Sequence, residues 1–331
     1  MVIADVDRLL DDGDAVAALD ALVAQNRAHP SSELQVRLIE LRHQAAASYR
    51  PEGRRPWPPA FEDPFPDVVG RPPEIEAHQL DGALLGAAVA HHGCLLVRGL
   101  LDRDAVERSR ASIEKASEAW GCAPEERTTG EYVQTLPVPG MQQRNRNNHA
   151  ERQNWWLADC PAAAAQVLDD LAATGAIAAI GEHFGERPVF TLQKSSLRRV
   201  QPEFRYAAWH QDGSFLGPST RAMNIWVSLT PCGGDRPAPG LEVVPRRVEE
   251  ILPFGEHGGV GIDGFAVHHA AGDTPVIRPE FDPGDAFLFD ERFIHRTYLN
   301  KEVPMTEERL ALECWFFAPS HPVEQYVSLL A

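Results

Sequence analysis

The second half of the chain is a succession of short apolar segments, and this feature limits the fold more than any other. The segments are rich in β-branched and aromatic residues, and Pro, Gly and Asp separate them. Many short strands with turn signals between them are typical of a sandwich or a jelly-roll barrel. The predicted strands are PVFTLQKSSLRRV, RYAAWHQ, RAMNIWVSLT, GLEVVP, TPVIRP, DAFLFD, FIHRTYL and RLALECWFFA. The sequence therefore predicts a mainly β, cupin-like core with flanking helices.

The region just before these strands has the apolar spacing of helices instead. IEAHQLDGALLGAAVAHHG predicts one helix, and DRDAVERSRASIEKASEAW predicts another that begins at Asp102 or Asp104. Between them, CLLVRGL indicates a short buried strand. PAAAAQVLDDLAATGAIAAIGEHFG predicts a further helix. We expect these helices to support one face of the barrel.

The N-terminal part of the chain is organised differently from the rest. Apolar spacing predicts a helix over residues 4–27, and Ser31 or Ser32 is the natural N-cap of a second helix. Residues 51–73 contain eight of the 27 prolines, which excludes a helix interior or a central strand there. We therefore expect a helical hairpin at 1–50, an extended surface linker at 51–73 and the barrel domain at 74–331.

The role of the hairpin is open at this point. It resembles one tetratricopeptide-type unit, but only one copy is visible and about three such units are needed for a stable solenoid. The hairpin either packs on the barrel domain or on a second copy of the chain, or it serves as a module that recruits a partner.

The charge balance excludes some classes of partner. The 331-residue chain has a formal net charge of −17, which disfavours nucleic acid and anionic membrane surfaces. No apolar stretch reaches the ~18 uninterrupted residues of a membrane helix. The acidic N-terminus lacks the basic segment of a signal peptide, and the five cysteines include no CxxC pair. These features predict a cytoplasmic protein without nucleic-acid or membrane partners.

Three polar residues in the strand region form a candidate metal site. His210 and Asp212 in WHQDGSFLG are two residues apart, so on an extended chain their side chains point the same way. His295 follows a predicted buried strand and a short DERF connection. Two histidines and one carboxylate are the facial triad of non-haem iron oxygenases, although the triad alone does not exclude Mn, Ni or Zn. Arg309, which enters a later apolar strand, invites a carboxylate partner.

The order of motifs around these residues resembles the phytanoyl-CoA dioxygenase-like family of iron(II)- and 2-oxoglutarate-dependent oxygenases. The motifs are WHQD at 209–212, NIWVSLTPC at 224–232, GLEVVPRR at 240–247 and PGDAFLFDERFIHRT at 283–297, followed by Arg309. The resemblance covers roughly residues 75–320. It implies a double-stranded β-helix fold, Fe(II) as cofactor, and 2-oxoglutarate and O2 as cosubstrates. It also implies hydroxylation of a C–H bond in a small molecule, with release of succinate and CO2.

The resemblance also implies roles for eight residues. Three would bind Fe(II), and five would contact or line the site of 2-oxoglutarate, with the arginine pairing to its distal carboxylate. Trp226 could equally be a core aromatic residue, Thr297 a barrel-wall residue, and Gln193 an exposed strand residue. The implied iron ligands are His210, Asp212 and His295, and the implied cosubstrate residues are Arg309, Thr297, Trp226, Gln211 and Gln193.

The substrate is not specified by any motif. Related halogenases replace the ligand carboxylate with a small residue, so Asp212 favours hydroxylation, desaturation or cyclisation. The polar segment at 144–156 is a candidate lid. Arginines in and after it could anchor an anionic substrate, or could form surface salt bridges; they are Arg144, Arg146, Arg152, Arg198, Arg199 and Arg205.

Two further points complete the sequence-based hypotheses. The pairs His91-His92 and His268-His269 are expected to be non-catalytic, because adjacent side chains diverge on helices and strands. The alternative to an oxygenase is a non-oxidative metal-binding barrel whose N-terminal hairpin recruits a partner.

Overall fold

The computed structural model describes most of the chain, and most of its helices and strands follow the predicted order. The predicted strand TPVIRP and the described part of RYAAWHQ form only isolated bridges. The described residues are 2–51, 57–123, 126, 136, 138–141, 150–203, 208–217, 219–253, 255, 261–298 and 304–331. Their helices are α1 Val2–Asp11, α2 Ala15–Ala28, α3 Ser32–Ser48, α4 Gly82–His92, α5 Arg103–Gly121, α6 Pro161–Ala173, α7 Ala176–Phe184, α8 Gly213–Leu216 and α9 Gly264–Ala271. The strands are β1 Glu74–Glu76, β2 Cys94–Arg98, β3 Asn154–Trp156, β4 Val189–Phe190, β5 Ser196–Val200, β6 Ala222–Ser228, β7 Leu241–Val243, β8 Ala286–Asp290, β9 His295–Thr297, β10 Arg309–Phe317 and β11 Leu329–Leu330.

The strands form one large sheet and one small sheet. The large sheet has the order β1-β2-β8-β6-β10-β4-β11, and β5 pairs with both β10 and β3. All its pairs are antiparallel except β1 with β2. The small sheet pairs β7 with β9. The result is a sheet-rich fold with flanking helices, consistent with a jelly roll.

Alternation along the strands of the large sheet decides which side chains face the small sheet and which face the helices. In β6, Trp226 packs with Leu241 and Val243 of the small sheet, whereas its neighbours Ile225 and Val227 join the cluster formed with helices α4 to α7. Successive side chains on a strand point to opposite faces, so β6 contributes to both cores. The large sheet therefore lies between a helical layer and the small sheet, and the polar interior of the barrel lies on the small-sheet side.

Several predicted helices are shorter than their apolar patterns. The predicted helix over 4–27 is two helices, because Gly13 adopts φ +81° and Asp14 caps α2 through the N–H of Ala17. Similarly, Gly175 with φ +79° separates α6 from α7. A positive φ favours glycine and interrupts the helical backbone. The apolar pattern nevertheless continues across each glycine, so the pattern does not show where the helix ends. In IEAHQLDGALLGAAVAHHG only the part after the N-cap Asp81 is an α-helix.

The N-terminal region contains three helices rather than the predicted hairpin, and Ser31 caps α3 as expected. Its apolar face packs against the barrel, which was one of the alternatives. Leu19 and Leu38 are buried in one cluster with Trp315 and Phe317 of β10. Because this face is covered by the same chain, it is not available to a partner.

The described part of the Pro-rich segment, residues 57–73, contains no helix or strand, as predicted. It is more than a surface linker, however. Trp57 lies edge-on to His183, with ring centroids 5.1 Å apart, and Phe61 stacks on the same histidine at 6.5 Å. The segment thus covers part of α7.

No single helix among the described residues is long and apolar enough to cross a membrane, although α6 and α7 together, bent by 75°, pass on length and composition.

Candidate metal centre

The two histidines of the candidate triad are brought together by backbone pairing. His210 and His295 are antiparallel bridge partners, with N–H to O=C distances of 3.0 and 3.1 Å. Directly opposed residues on paired strands place their side chains on the same face. The two imidazole centroids are consequently 4.2 Å apart. Residues 85 positions apart in the sequence thus become neighbours through one bridge.

Each imidazole is oriented by its own local backbone. Nδ1 of His210 lies 2.9 Å from the carbonyl oxygen of Ala208, and Nδ1 of His295 lies 3.1 Å from that of Phe293. A carbonyl can only accept, so Nδ1 carries the proton and donates, and Nε2 keeps its lone pair. This arrangement directs both Nε2 atoms to a shared ligand, as is common for metal-binding histidines.

Asp212 completes the cluster and has one oxygen without a partner. The residue is 2% exposed, and Oδ2 has no hydrogen-bond partner among the described residues. Oδ2 is 3.6 Å from Nε2 of His295. One ligand atom from each of His210, Asp212 and His295 lies within 4.8 Å of the others. A buried, unsatisfied carboxylate oxygen is costly unless it binds a cation, so the donor set fits a divalent metal.

The protonation state of His295 suits metal binding. Burial, together with the nearby His210, lowers the pKa of the His295 imidazole to about 4. A neutral imidazole is the form that binds a metal. His295 can therefore bind a cation at neutral pH without first losing a proton.

Lys194 is a charged residue at this centre that the sequence analysis did not select. Its Nζ is 3.4 Å from Oδ1 of Asp212 and 3.9 Å from Oε1 of Glu313. Burial by itself disfavours the ammonium, but the two carboxylates outweigh burial and raise the pKa of Lys194 above its ordinary value. Glu313 also binds Arg198, with 2.8 Å between Oε2 and Nη1. The only sequence signals were a lysine in LQKSS and a glutamate in the apolar strand LALECWFF.

Arg309 is fully buried and lacks an anionic partner among the described residues. Its Nη1 donates to the carbonyls of Pro239 and Gly240 at 3.2 and 3.1 Å, but Nε and Nη2 have no hydrogen-bond partner among the residues described. Burial, together with Arg198, lowers the pKa of Arg309 to about 10. A buried guanidinium with two free donors fits a carboxylate ligand. The structure thus supplies a cation where the resemblance implies the distal carboxylate of 2-oxoglutarate.

Two other predicted cosubstrate residues lie near Arg309. The guanidinium carbon of Arg309 is 5.4 Å from the centroid of the Trp226 ring, and Nε1 of Trp226 is buried without a partner among the described residues. Trp226 also packs edge-on against Phe281, at 4.8 Å, so core packing and the site share this residue. Thr297 ends β9, and the N–H of the next residue, Tyr298, binds the Gly240 carbonyl that Arg309 also binds.

The two glutamines have structural roles that differ from the expectation. The side chain of Gln211 binds backbone groups: its Nε2 donates to the carbonyls of Glu250 and Arg292, and its Oε1 accepts from the N–H of Leu252. Gln193 similarly donates to the carbonyl of Gly140 and accepts from the N–H of Val327. Both side chains therefore hold loops in place, and their contact with 2-oxoglutarate stays a prediction.

The candidate substrate anchors and lid are only partly described. Residues 142–149, with Arg144 and Arg146, lie outside the described residues, as does Arg205. The last residues of the candidate lid form β3, which pairs with β5, so this part is core rather than lid. Arg199 pairs with Glu114 and Glu308, and Arg152 is exposed. His91-His92 and His268-His269 are in α4 and α9, and neither pair belongs to the one metal-type cluster among the described residues.

The comparisons with known proteins agree with this geometry. The chain is 22% identical over 265 residues to the 1-deoxypentalenic acid 11-beta-hydroxylase of Streptomyces arenae, covering 76% of this chain and 85% of that protein. It is 21% identical over 233 residues to the enzyme of the same name from Streptomyces exfoliatus, covering 67% and 76%. The crystal structure of EctD from S. alaskensis with 2-oxoglutarate and 5-hydroxyectoine has a TM-score of 0.51 at 17% identity, covering 83% of this chain and 86% of EctD.

The sequence pattern of the phytanoyl-CoA dioxygenase family matches residues 89–301, which is more than half of the chain and contains all three residues of the metal-type cluster. The chain therefore belongs to the phytanoyl-CoA dioxygenase family of iron- and 2-oxoglutarate-dependent oxygenases.

Proposed function

We propose that this protein is a cytoplasmic hydroxylase that acts on a C–H bond of an anionic small molecule, on a double-stranded β-helix scaffold. His210, Asp212 and His295 would hold Fe(II), and Arg309 would bind the distal carboxylate of 2-oxoglutarate. When bound, Fe(II) supplies the activation of O2 that is coupled to oxidative decarboxylation of 2-oxoglutarate to succinate and CO2.

One observation carries this proposal: two buried groups of opposite charge have polar atoms without hydrogen-bond partners among the described residues. Oδ2 of Asp212 lacks a donor, and two guanidinium nitrogens of Arg309 lack an acceptor, among the described residues. A bound metal would satisfy Oδ2 of Asp212, and a bound dicarboxylate would satisfy the two nitrogens of Arg309. The three residues at the metal would leave other coordination positions open, as the facial triad does.

The other residues of the chain orient and shield these two ends. The carbonyls of Ala208 and Phe293 fix the imidazole tautomers, and those of Pro239 and Gly240 hold the guanidinium. Trp226, Phe281 and Phe287 are buried and keep water from the interior near Arg309. A dry interior strengthens charge interactions with a bound dicarboxylate. We propose that Thr297 adds a hydroxyl at the same end.

Three features support hydroxylation of an anionic substrate. The residue two positions after His210 is a carboxylate, and the curated relatives named above are called hydroxylases of 1-deoxypentalenic acid, a carboxylic acid by name. Arg198 lies beside Glu313 and its side chain is 29% exposed, so it offers a cation for a substrate anion.

The first experiment is anaerobic titration of the protein with Fe(II) and 2-oxoglutarate. We expect a weak visible absorption band that needs protein, iron and cosubstrate together, and succinate formation under air. Absence of both in metal-loaded protein would contradict the oxygenase and favour a non-oxidative metal-binding barrel. For the substrate, succinate release is followed with a panel of carboxylic acids and their methyl esters. Equal stimulation by acid and ester would contradict the anionic substrate.

A further inference from the structure

The two oxygens of the Asp212 carboxylate have different surroundings. Oδ1 accepts a hydrogen bond from the ammonium of Lys194 at 3.4 Å. Oδ2 has no hydrogen-bond partner among the described residues and lies 3.6 Å from Nε2 of His295. The carboxylate is 2% exposed, so water does not equalise the two oxygens. The asymmetry is therefore a property of the protein.

Lys194 is itself held in place from several sides. Its Nζ is 4.7 Å from the ring centroid of Phe215 and 5.1 Å from that of Trp315. Oε1 of Glu313 lies 3.9 Å from this Nζ, and Glu313 is fixed by Arg198 and by Nε1 of Trp315. Burial alone would raise the pKa of Glu313. Arg198 and Lys194 outweigh burial and lower this pKa to about 2. An ammonium between two aromatic faces and two carboxylates has little freedom to leave Oδ1.

We propose that Lys194 is a positioning residue that restricts Asp212 to a single metal-binding oxygen, Oδ2. This inference rests on the proposed function, because it concerns the number of positions left for 2-oxoglutarate and O2. A carboxylate can bind a metal through one oxygen or through both. With one oxygen, the triad leaves three positions of six; with both, it leaves two. A chelating cosubstrate would take two of these positions. The second oxygen of Asp212 would therefore compete with O2 or with 2-oxoglutarate for a position.

Removal of the lysine charge should change metal and cosubstrate binding in opposite directions. Lys194→Met keeps the length of the side chain but removes the cation. Loss of a positive charge beside the site favours a divalent cation, and a free Oδ1 adds a ligand. We therefore expect Mn(II) affinity to stay equal or rise, and 2-oxoglutarate affinity of the Mn(II)-loaded protein to fall about 10-fold or more, the usual size of an effect on a ligand's hydrogen-bond partner.

The experiment measures binding of Mn(II), and then of 2-oxoglutarate to metal-free and Mn(II)-loaded protein, by calorimetry. In metal-free Lys194→Met, 2-oxoglutarate binding through Arg309 should match the wild type. Lys194→Arg, which keeps a cation, should restore most of the cosubstrate affinity of the loaded protein. Lys115→Met, which removes an exposed lysine on α5, is the matched control and should bind both ligands normally.

Three outcomes would overturn the inference. Weaker binding of both Mn(II) and 2-oxoglutarate would indicate a general structural role for Lys194. An equal loss of 2-oxoglutarate affinity with and without metal would show that Lys194 contacts the cosubstrate itself. No change in either affinity would show that the ion pair with Asp212 is unimportant. Failure of the wild-type protein to bind Mn(II) or 2-oxoglutarate would instead contradict the proposed function.

A second measurement does not depend on the folding of a variant. A crystal structure of the Mn(II)-loaded wild-type protein should show Oδ2 of Asp212 on the metal and Oδ1 still beside Lys194. Both carboxylate oxygens on the metal, or Lys194 turned away from Asp212, would overturn the inference.

Discussion

The two ends of the barrel interior differ in how the chain satisfies its own charges. At the metal end, Asp212 has a cation, Lys194, on one oxygen and nothing among the described residues on the other. At the other end, Arg309 lies beside two backbone carbonyls and an aromatic ring, and no anionic group among the described residues pairs with it. One end is therefore half neutralised, and the other is left fully charged.

This difference corresponds to the protein atoms that the proposed ligand at each end would bind. A metal ion needs one carboxylate oxygen and two imidazole nitrogens, so the spare oxygen of Asp212 can be paired within the protein. A carboxylate ligand can accept from two in-plane N–H donors of a guanidinium, so Nε and Nη2 of Arg309 must stay unpaired within the protein. The chain leaves unsatisfied the groups that a ligand would satisfy, and it pairs the remainder.

The largest expected effect is at the metal end. Asp212→Ala removes the one anionic ligand of the triad, so we expect turnover to fall below detection and Mn(II) binding to weaken strongly. Succinate release and Mn(II) titration measure the two effects. Asp282→Ala, an exposed carboxylate that pairs with Arg236, is the control and should behave like the wild type. Wild-type activity in Asp212→Ala would show that another carboxylate binds the metal.

The dependence of stability on acid pH tests whether burial alone, away from the metal site, lowers the pKa of a histidine. Burial, with a contribution from Arg247, lowers the pKa of His183 to about 4, the same value as His295, although His183 lies outside the triad. The unfolded chain binds a proton near pH 6.5 and the folded chain only near pH 4. His183 therefore supports stability fully above pH 6.5, and this support is lost as the pH falls toward 4.

We expect His183→Leu to remove about 3 kcal/mol of the stability lost between pH 7 and pH 4, an order-of-magnitude value from the shift. Urea unfolding at a series of pH values measures it. If the wild type and His183→Leu lose stability equally steeply as the pH falls, groups other than His183 cause the acid destabilisation. Mn(II) should protect the share that belongs to His295 and leave that of His183 unchanged.

A smaller effect is expected at the Arg309 end. Arg309→Met removes charge-assisted hydrogen bonds worth about 1.5–3 kcal/mol, so the KM for 2-oxoglutarate should rise about 10- to 150-fold. Without cosubstrate, the variant should be at least as heat-stable as the wild type, because a buried unpaired charge is gone. Thermal unfolding with and without 2-oxoglutarate measures both. A large loss of stability in the cosubstrate-free variant would mean that the arginine is mainly structural.

The smallest effect is expected from Trp226→Phe. The ring packing against Phe281 is kept, and only Nε1 is lost, so we expect a change of about 1 kcal/mol, or roughly fivefold, in the KM for 2-oxoglutarate. Steady-state kinetics measures it, and unchanged thermal stability serves as its control. An effect as large as that of Arg309→Met would show that the indole is a principal anchor of the cosubstrate.

Much of the fold and part of the site could be predicted because they depend on local patterns. Short apolar segments between turn residues located β6, β8 and β10, and the Ser31 cap marked the start of α3. Helix ends at Gly13 and Gly175 were missed, because an apolar pattern does not report a positive φ. The roles of Gln211 and Gln193 were missed for another reason: a glutamine on a strand can bind a loop as well as a ligand, and only the loop position distinguishes them.

The residue types and order of His210, Asp212, His295 and Arg309 could be read from the sequence alone, through the motifs around them. The backbone of Asp212 is helical (φ −65°, ψ −26°) just before α8, so the expected extended chain ends before this residue. Which oxygen of Asp212 is free, and that Lys194 and Glu313 stand beside it, was decided only by the tertiary structure. Those contacts depend on the register between β5 and β10 and on the bridge between His210 and His295. Register joins residues more than a hundred positions apart, such as Leu197 and Leu312, and local patterns carry no information about that distance.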